Sequence, residues 1–151
     1  GGIRVPLIVR WLGKIPSGKV SSQPTVNIDF YPTLLEAAKV LPSKKHRLDG
    51  ISILRNWINP TSRLSRDEIY WHYPLANPHF LGGISGGAIL SGDWKLIEAF
   101  DTKKVELYNL TEDISEKNNL AETHPDLAES LQTRLIDWRN TVGATKEPPK
   151  H

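Results

Sequence analysis

The chain contains neither cysteine nor methionine. Without thiols, disulfides, thiolate metal sites and a cysteine nucleophile are excluded within its 151 residues. No apolar run approaches the ~18 residues that a membrane-spanning helix needs. Charge of one sign is also scarce. Nineteen basic and seventeen acidic side chains give a formal +2, and the one dense basic run is Lys44-Lys45-His46-Arg47. A nucleic-acid binder should carry a basic stripe on one face, so that run reads as a solvated loop. What remains is ordinary for a globular protein: 38% hydrophobic residues, 24% charged, and enough length for a real core. Asn109-Leu110-Thr111 has the form of a glycosylation acceptor but falls where a strand should end.

The opening is abrupt. Gly1-Gly2-Ile3-Arg4-Val5-Pro6 leads straight into Leu7-Ile8-Val9-Arg10-Trp11, and Arg4 to Trp11 reads as a buried strand. Paired glycines suit a loop feeding a strand. A strand apolar on both faces wants neighbours on both sides, and this chain supplies few. The expectation is a downstream part of a larger protein, with Arg4 and Arg10 pairing carboxylates of that larger part. A loop rich in Gly, Pro and Lys follows from Leu12 to Lys19. A helix is then predicted from Asp29, its N-cap, with Pro32 in the first turn and an end before Pro42. Phe30, Leu34, Ala37 and Ala38 would share its buried face. Residues 42–66 look irregular, pinned by Ile51-Ser52-Ile53-Leu54 and Trp57-Ile58.

From residue 67 the pattern changes. Ile69 to Tyr73, Ala88 to Leu90, Trp94 to Phe100 and Lys104 to Asn109 read as strands. Ser91-Gly92-Asp93 and Asp101-Thr102-Lys103 are hairpin turns, which make the sequential strands antiparallel. A Gly/Pro-rich loop spans Pro74 to Gly87, with Gly82, Gly83, Gly86 and Gly87 free to adapt it. His124-Pro125-Asp126 opens a helix whose Leu127, Leu131, Leu135, Trp138 and Val142 form one apolar stripe, with Gly143 as its stop. The fold class expected is α/β, becoming α+β in the C-terminal part: the end of an α/β layer (residues 1 to about 41), a connection, then a small antiparallel sheet packed on a C-terminal helix. The domain division expected is 1–66 and 67–151.

Three stretches, in this order and spacing, resemble the C-terminal portion of the sulfatases, arylsulfatase-like enzymes of alkaline-phosphatase-like fold. They are Gly1 to Trp11 with Gly13-Lys14-Ile15; Asp29 to Leu35 with Leu48-Asp49-Gly50-Ile51-Ser52; and Gly92-Asp93-Trp94-Lys95-Leu96-Ile97 with Glu106 to Asp113 and Glu116-Lys117-Asn118-Asn119-Leu120. Leu12 stands where the family usually has Pro, and Leu90 where it commonly has Arg. The resemblance implies sulfate-ester hydrolysis, on an aryl or carbohydrate sulfate, by a formylglycine whose hydrate attacks sulfur. A divalent cation, usually calcium on hard oxygen ligands, would balance the sulfate charge. It also implies export, to a periplasm or the extracellular space.

The parts of that chemistry are not legible in this chain. Ser22-Gln23-Pro24-Thr25-Val26 begins like the nucleophile motif but has Val26 where Arg is needed. No Asp-Asp pair opens a cation site. The expectation is therefore no catalytic residue and no metal ligand here. They would belong to an N-terminal sulfatase domain upstream, the partner of this chain, and the isolated chain would be inactive. Three residues could still touch a sulfated small molecule or glycan: His72, Tyr73 and His79. Tyr70 and His72 would share one strand face, Trp71 and Tyr73 the other. Lys95 reads as a stem covering Trp94 with its amine in water. Two alternatives stand beside the sulfatase reading: a phosphoester or phosphonate hydrolase of the same superfamily, and a non-catalytic carbohydrate-binding or structural module with an aromatic platform on residues 70–73.

Overall fold

The computed structural model describes residues 3–43, 45, 47–75 and 85–145. The chain divides into two compact units, Arg4–Arg66 and Asp67 onward.

The first unit is built around polar groups. A 3-10 turn at Asn27–Asp29 runs into helix α1 (Phe30–Ala37), and a short helix α2 (Leu54–Ile58) follows an extended connection. Asp29 and Thr33, one helical turn apart, are fully buried with Ile53. Thr33 Oγ1 donates to the Asp29 carbonyl at 2.6 Å and accepts from Ile53 N at 2.9 Å, which fixes α1 to the start of α2. The Asp29 carboxylate accepts from Val26 N at 3.0 Å and Ile51 N at 3.1 Å, and receives both ends of the Arg66 guanidinium at 2.7 and 2.8 Å. Gly50 is where that connection presses on the 3-10 turn. A Cβ there would lie 2.1 Å from the Ile28 carbonyl oxygen, so only glycine fits. Buried Asn56 closes the turn after α2 by donating to the carbonyls of Pro60 and Ser62.

Two expectations fail in this unit. Arg4 to Trp11 forms no strand, and Val5 and Ile8 are 78% and 90% exposed. A strand exists only where a neighbour completes its ladder, and no described residue of the unit does so. In α1 the buried face runs through Asp29 and Thr33, leaving Leu34 59% exposed. The hydrogen-bonding demand of the Asp29 carboxylate, which is satisfied only inside, decides the orientation over the apolar periodicity.

The second unit follows the sequence pattern closely. Strands β1 (Glu68–Tyr73), β2 (Gly86–Ser91), β3 (Trp94–Ala99) and β4 (Val105–Asn109) form an antiparallel meander in sequential order. Ser91 pairs with Trp94, so Gly92 and Asp93 make a two-residue hairpin with Gly92 at φ 57°. Helix α3 (Pro125–Val142) ends on Gly143 at φ 68°, where the left-handed conformation costs glycine nothing. Ile89, Leu96 and Leu107 meet Ala128, Leu131 and Leu135 of α3 in one core, and Tyr70 stacks on Trp138 at 4.9 Å. Val142, expected in the stripe, is 54% exposed, because the sheet does not reach the last turn of the helix. The loop expected to run to Gly87 ends earlier. Gly86 and Gly87 are buried members of β2 rather than flexible loop residues.

The resembling motif after β4 completes that edge strand. Asn119 Oδ1 accepts from Leu107 N at 2.9 Å and Ala121 N at 3.0 Å, and Leu120 N donates to the Leu107 carbonyl at 2.8 Å. The Asp113 carboxylate caps Lys117 N and Asn118 N at 2.7 and 2.8 Å, which holds its pKa below the usual range. Lys95 departs from expectation. It is 6% exposed, and its Nζ donates to Glu116 at 2.8 Å instead of reaching water.

Candidate functional site

The end of β1 carries two of the three candidate contact residues. Alternation along the strand sets them on opposite faces. Tyr70 and His72 look toward α3, and Tyr73 lies on the other face with 53% of its surface exposed. His79 lies outside the described residues.

His72 sits on a built platform. Its cross-strand partner is Gly87, whose own partner on β3 is Glu98, so His72, Gly87 and Glu98 form one row across the sheet. The missing side chain in the middle of that row admits Arg139 from α3. A Cβ on Gly87 would lie 3.3 Å from Arg139 Nη1. Arg139 thereby reaches Glu98 at 2.6 Å, and both side chains are almost wholly buried. The Arg139 guanidinium also lies over the Phe100 ring at 5.2 Å, and the His72 ring meets that same ring at 5.3 Å. His72 Nε2 is 2.6 Å from the Thr145 carbonyl oxygen, so this nitrogen carries the proton and donates. Its Nδ1 is buried with no hydrogen-bond partner among the described residues.

The base of the following loop is tied to the same platform. Leu75 N donates to Ser85 Oγ at 3.1 Å, and Phe100 N donates to the Ser85 carbonyl at 2.9 Å. Buried ion pairs such as Arg139–Glu98 contribute little net stability compared with apolar packing, but removing one partner alone is costly. The effect of this pair is to tie α3 to the end of β3, across Gly87 at the start of β2. Neither Arg139 nor Glu98 was legible as a pair, since 41 residues separate them and each alone looks like a solvated charge. Arg66 escaped notice for the same reason.

A second ionised patch joins Arg134 and Glu68, to which the Tyr70 hydroxyl also donates. Burial and then the Glu68 carboxylate push the Tyr70 hydroxyl up to about 12. On the opposite sheet face Tyr108 donates to Glu106 at 2.9 Å, and burial with that carboxylate raises it likewise to about 12. A groove of about 250 Å³ beside it is lined by Ile97, Ala99, Asp101, Thr102, Lys104 and Glu106. Lys104 and Glu106 pair with each other at 2.7 Å, which leaves the Asp101 carboxylate as the remaining charge in its lining.

A calcium ion needs several convergent oxygen ligands. Among the described residues no three His, Asp or Glu side chains come together to hold a metal, so no step of a reaction is built on a cation here. The nucleophile-like stretch at Ser22 is no better placed. It is extended, and Gln23 Oε1 accepts from Leu64 N at 3.2 Å. Among the described residues no helix is long and apolar enough to cross a membrane.

Comparison with known proteins gives this platform its setting. A sulfatase of Formosa agariphila is 35% identical over 91% of the chain. An N-acetylglucosamine-6-O-sulfatase of Bacteroides thetaiotaomicron is 31% identical over 78% of it. A solved enzyme, described in complex with its substrate D-glucosamine-2-N,6-O-disulfate, superposes with a TM-score of 0.78 at 27% identity, over 98% of this chain. The chain spans about 27% of the first relative's length, 21% of the second's and 30% of the solved enzyme. The antiparallel sheet and C-terminal helix are thus the C-terminal part of an alkaline-phosphatase-like fold. The model of the family described as N-sulphoglucosamine sulphohydrolase, C-terminal, matches residues 1–141, and the chain belongs to that family of C-terminal sulfatase regions.

Proposed function

We propose that this chain is the C-terminal part of an enzyme that hydrolyses sulfate esters of a carbohydrate or aryl group. The observation that carries the reading is the family match over residues 1–141, together with the solved structure in complex with a glucosamine disulfate substrate, which follows nearly the whole chain. Residues 1–66 are then the end of the large sulfatase α/β domain plus its connection, and 67–151 the C-terminal subdomain. The nucleophile, a formylglycine, and the oxygen ligands of a calcium ion belong to a longer polypeptide. When bound, that cation would neutralise sulfate oxygens. The exposed apolar residues at 5–12 support a covered surface, since Val5, Ile8 and Leu12 are each at least 75% exposed. Their cover is the N-terminal domain, against which Arg4 to Trp11 takes up its strand. The enzyme is exported, as a catalyst acting on sulfated glycans outside the cell requires.

In this reading the chain's own residues shape the leaving-group side of the cleft. Tyr73, exposed at the end of β1, offers a ring face and a hydroxyl to a sugar or aryl group. His72, whose Nδ1 is buried, acts by holding the end of β1 through Nε2 and the Thr145 carbonyl, which positions Tyr73 beside it. His79 is the other contact. The test is hydrolysis of an aryl sulfate and of a glucosamine sulfate by the 151-residue chain and by a longer polypeptide containing it. Turnover by the longer form alone is expected, with Tyr73→Ala raising KM for the sugar sulfate about tenfold. Calcium-dependent turnover by the 151-residue chain would overturn the placement of the reacting groups.

A further inference from the structure

At the end of β1 the usual side-chain neighbours are missing. β1 is an edge strand, so β2 is its one neighbour in the sheet. There His72 faces Gly87 and Tyr73 faces Gly86. Cross-strand side-chain pairs normally fix the direction of strand residues, and here β2 offers neither residue a side chain. Close packing accounts for both glycines. A Cβ on Gly86 would lie 2.6 Å from the Glu98 carbonyl oxygen, and one on Gly87 would lie 3.3 Å from both Arg139 Nη1 and the Trp71 carbonyl oxygen.

Arg139 stands in for the missing partners. Its side chain pairs with Glu98 at 2.6 Å across Gly87 and lies over the Phe100 ring at 5.2 Å. That ring is the one His72 meets at 5.3 Å, and Phe100 N holds the Ser85 carbonyl at 2.9 Å, at the far base of the loop that follows β1. The Arg139 backbone acts at the same place. Its carbonyl accepts from Ala144 N at 3.0 Å, after Gly143 has turned the chain at φ 68°. This return brings the Thr145 carbonyl to His72 Nε2 at 2.6 Å. The ring contact and the hydrogen bond of His72 thus both go to groups that Arg139 holds. A buried ion pair adds little net stability over apolar packing, so what Arg139 supplies is geometry.

We infer that Arg139 is a positioning residue of the proposed enzyme: through Phe100 and Thr145 it fixes the end of β1, and with it the direction in which Tyr73 meets the leaving group. It touches neither the substrate nor the reacting atoms. The inference rests on the reading of Tyr73 as a leaving-group contact, but the clamp on β1 does not. A residue that acts in this way changes how tightly the ester is held and leaves the chemical step alone. Its loss therefore appears in KM, with kcat kept.

Arg139→Met alone would strand the Glu98 charge, so the test replaces both residues. Glu98→Met with Arg139→Met is the kind of exchange that buried pairs tolerate without loss of stability. In the 151-residue chain, hydrogen exchange at the Leu75 and Phe100 amides, both bonded to Ser85, should speed up by about tenfold or more. The Leu107 amide, bonded to Asn119 at the other edge of the sheet, should exchange as before. In a longer polypeptide containing the chain, KM for a glucosamine sulfate should rise about tenfold with kcat within about twofold. Adding Tyr73→Ala to that variant should raise KM no further, because both changes remove one contact. Lys95→Met with Glu116→Met removes the buried pair on the other sheet face and should leave KM within about twofold. Unchanged exchange at Leu75 and Phe100 would overturn the proposal. So would an unchanged KM, a kcat that falls as far as KM rises, or a Tyr73→Ala effect that multiplies in full. If Tyr73→Ala by itself leaves KM unchanged, or the longer polypeptide hydrolyses no sulfate ester, the functional reading fails instead, and the exchange result decides the clamp on its own.

Discussion

The Asp29–Arg66 pair is the strongest test of how the first unit is held. Asp29 is fully buried, and four hydrogen bonds converge on its carboxylate. Arg66→Met removes the only cation paired with it among the described residues and strands a buried charge. Breaking such a pair from one side costs about 3–5 kcal/mol, and the slight exposure of Arg66 puts the expectation near about 3. Asp29→Asn leaves an amide donor facing the N–H of Val26 or Ile51, a loss of about 2 kcal/mol. In the double variant no charge is stranded, so the two losses should fall short of additivity by about 2 kcal/mol. Burial by itself would raise the Asp29 pKa, but Arg66 and the two backbone donors hold it below 3.8. The pair's contribution is therefore fully present above the unfolded value of 3.8 and is lost as pH falls through the lower folded value. The assay is denaturant-dependent hydrogen exchange at the Ile51 and Ile53 amides, which are bonded to Asp29 and Thr33 within this unit. Additive losses within about 0.5 kcal/mol, or acid sensitivity below pH 3.8 surviving unchanged in Asp29→Asn, would refute the argument.

Gly50→Ala should destabilise the same unit by about 3 kcal/mol or more, because its Cβ would lie 2.1 Å from a backbone oxygen that cannot swing aside. Gly13→Ala, with open space around its Cβ but φ at 71°, should cost only the roughly 1 kcal/mol of left-handed strain, and chemical denaturation of the two variants separates that strain from the clash. In the second unit, Tyr70 and Tyr108 should ionise only near pH 12 in an ultraviolet titration. Their raised values mean stability fully present below pH 10 and lost as pH rises from 10 toward 12. Tyr70→Phe should remove part of that alkaline loss, and an alkaline transition identical to the parent's would contradict the burial assigned to the hydroxyl.

How much of this was readable before any coordinates depended on the reach of the interactions. The four strands and α3 follow from alternation, helical spacing and turn glycines, all of which act within a few residues. Each of these four predicted strands lies within two residues of the observed one at both ends. The missed pairings all involve distant partners. Arg66 lies 37 residues from Asp29, and Arg139 lies 41 from Glu98, and one sequence holds no sign of either pairing. Lys95 looked solvated because Glu116 reaches it only after the β4 strand and a loop turn the chain back. The Arg4–Trp11 strand fails for the same reason carried further. Its apolar pattern is present, but no described residue of its unit supplies a ladder, so the pattern reads a partner rather than a structure.

The same logic explains why the family was legible while the site was not. The motifs that carry the resemblance are, where the structure describes them, devices for satisfying backbone groups. Asp49-Gly50 lets the connection press on the 3-10 turn, Gly92-Asp93 closes a two-residue hairpin, Asp113 supplies an acceptor to the loop amides of Lys117 and Asn118, and Asn119 supplies one to the Leu107 amide of β4. An unpaired buried amide costs about 1–3 kcal/mol wherever it occurs, whatever the substrate. Such residues can specify the fold without encoding any chemistry. His72 and Tyr73 obey no such rule. The surroundings of His72 are set by the row of Gly87 and Glu98 with Arg139 over it, Tyr73 leaves the strand on the other face, and only the assembled sheet reveals that arrangement.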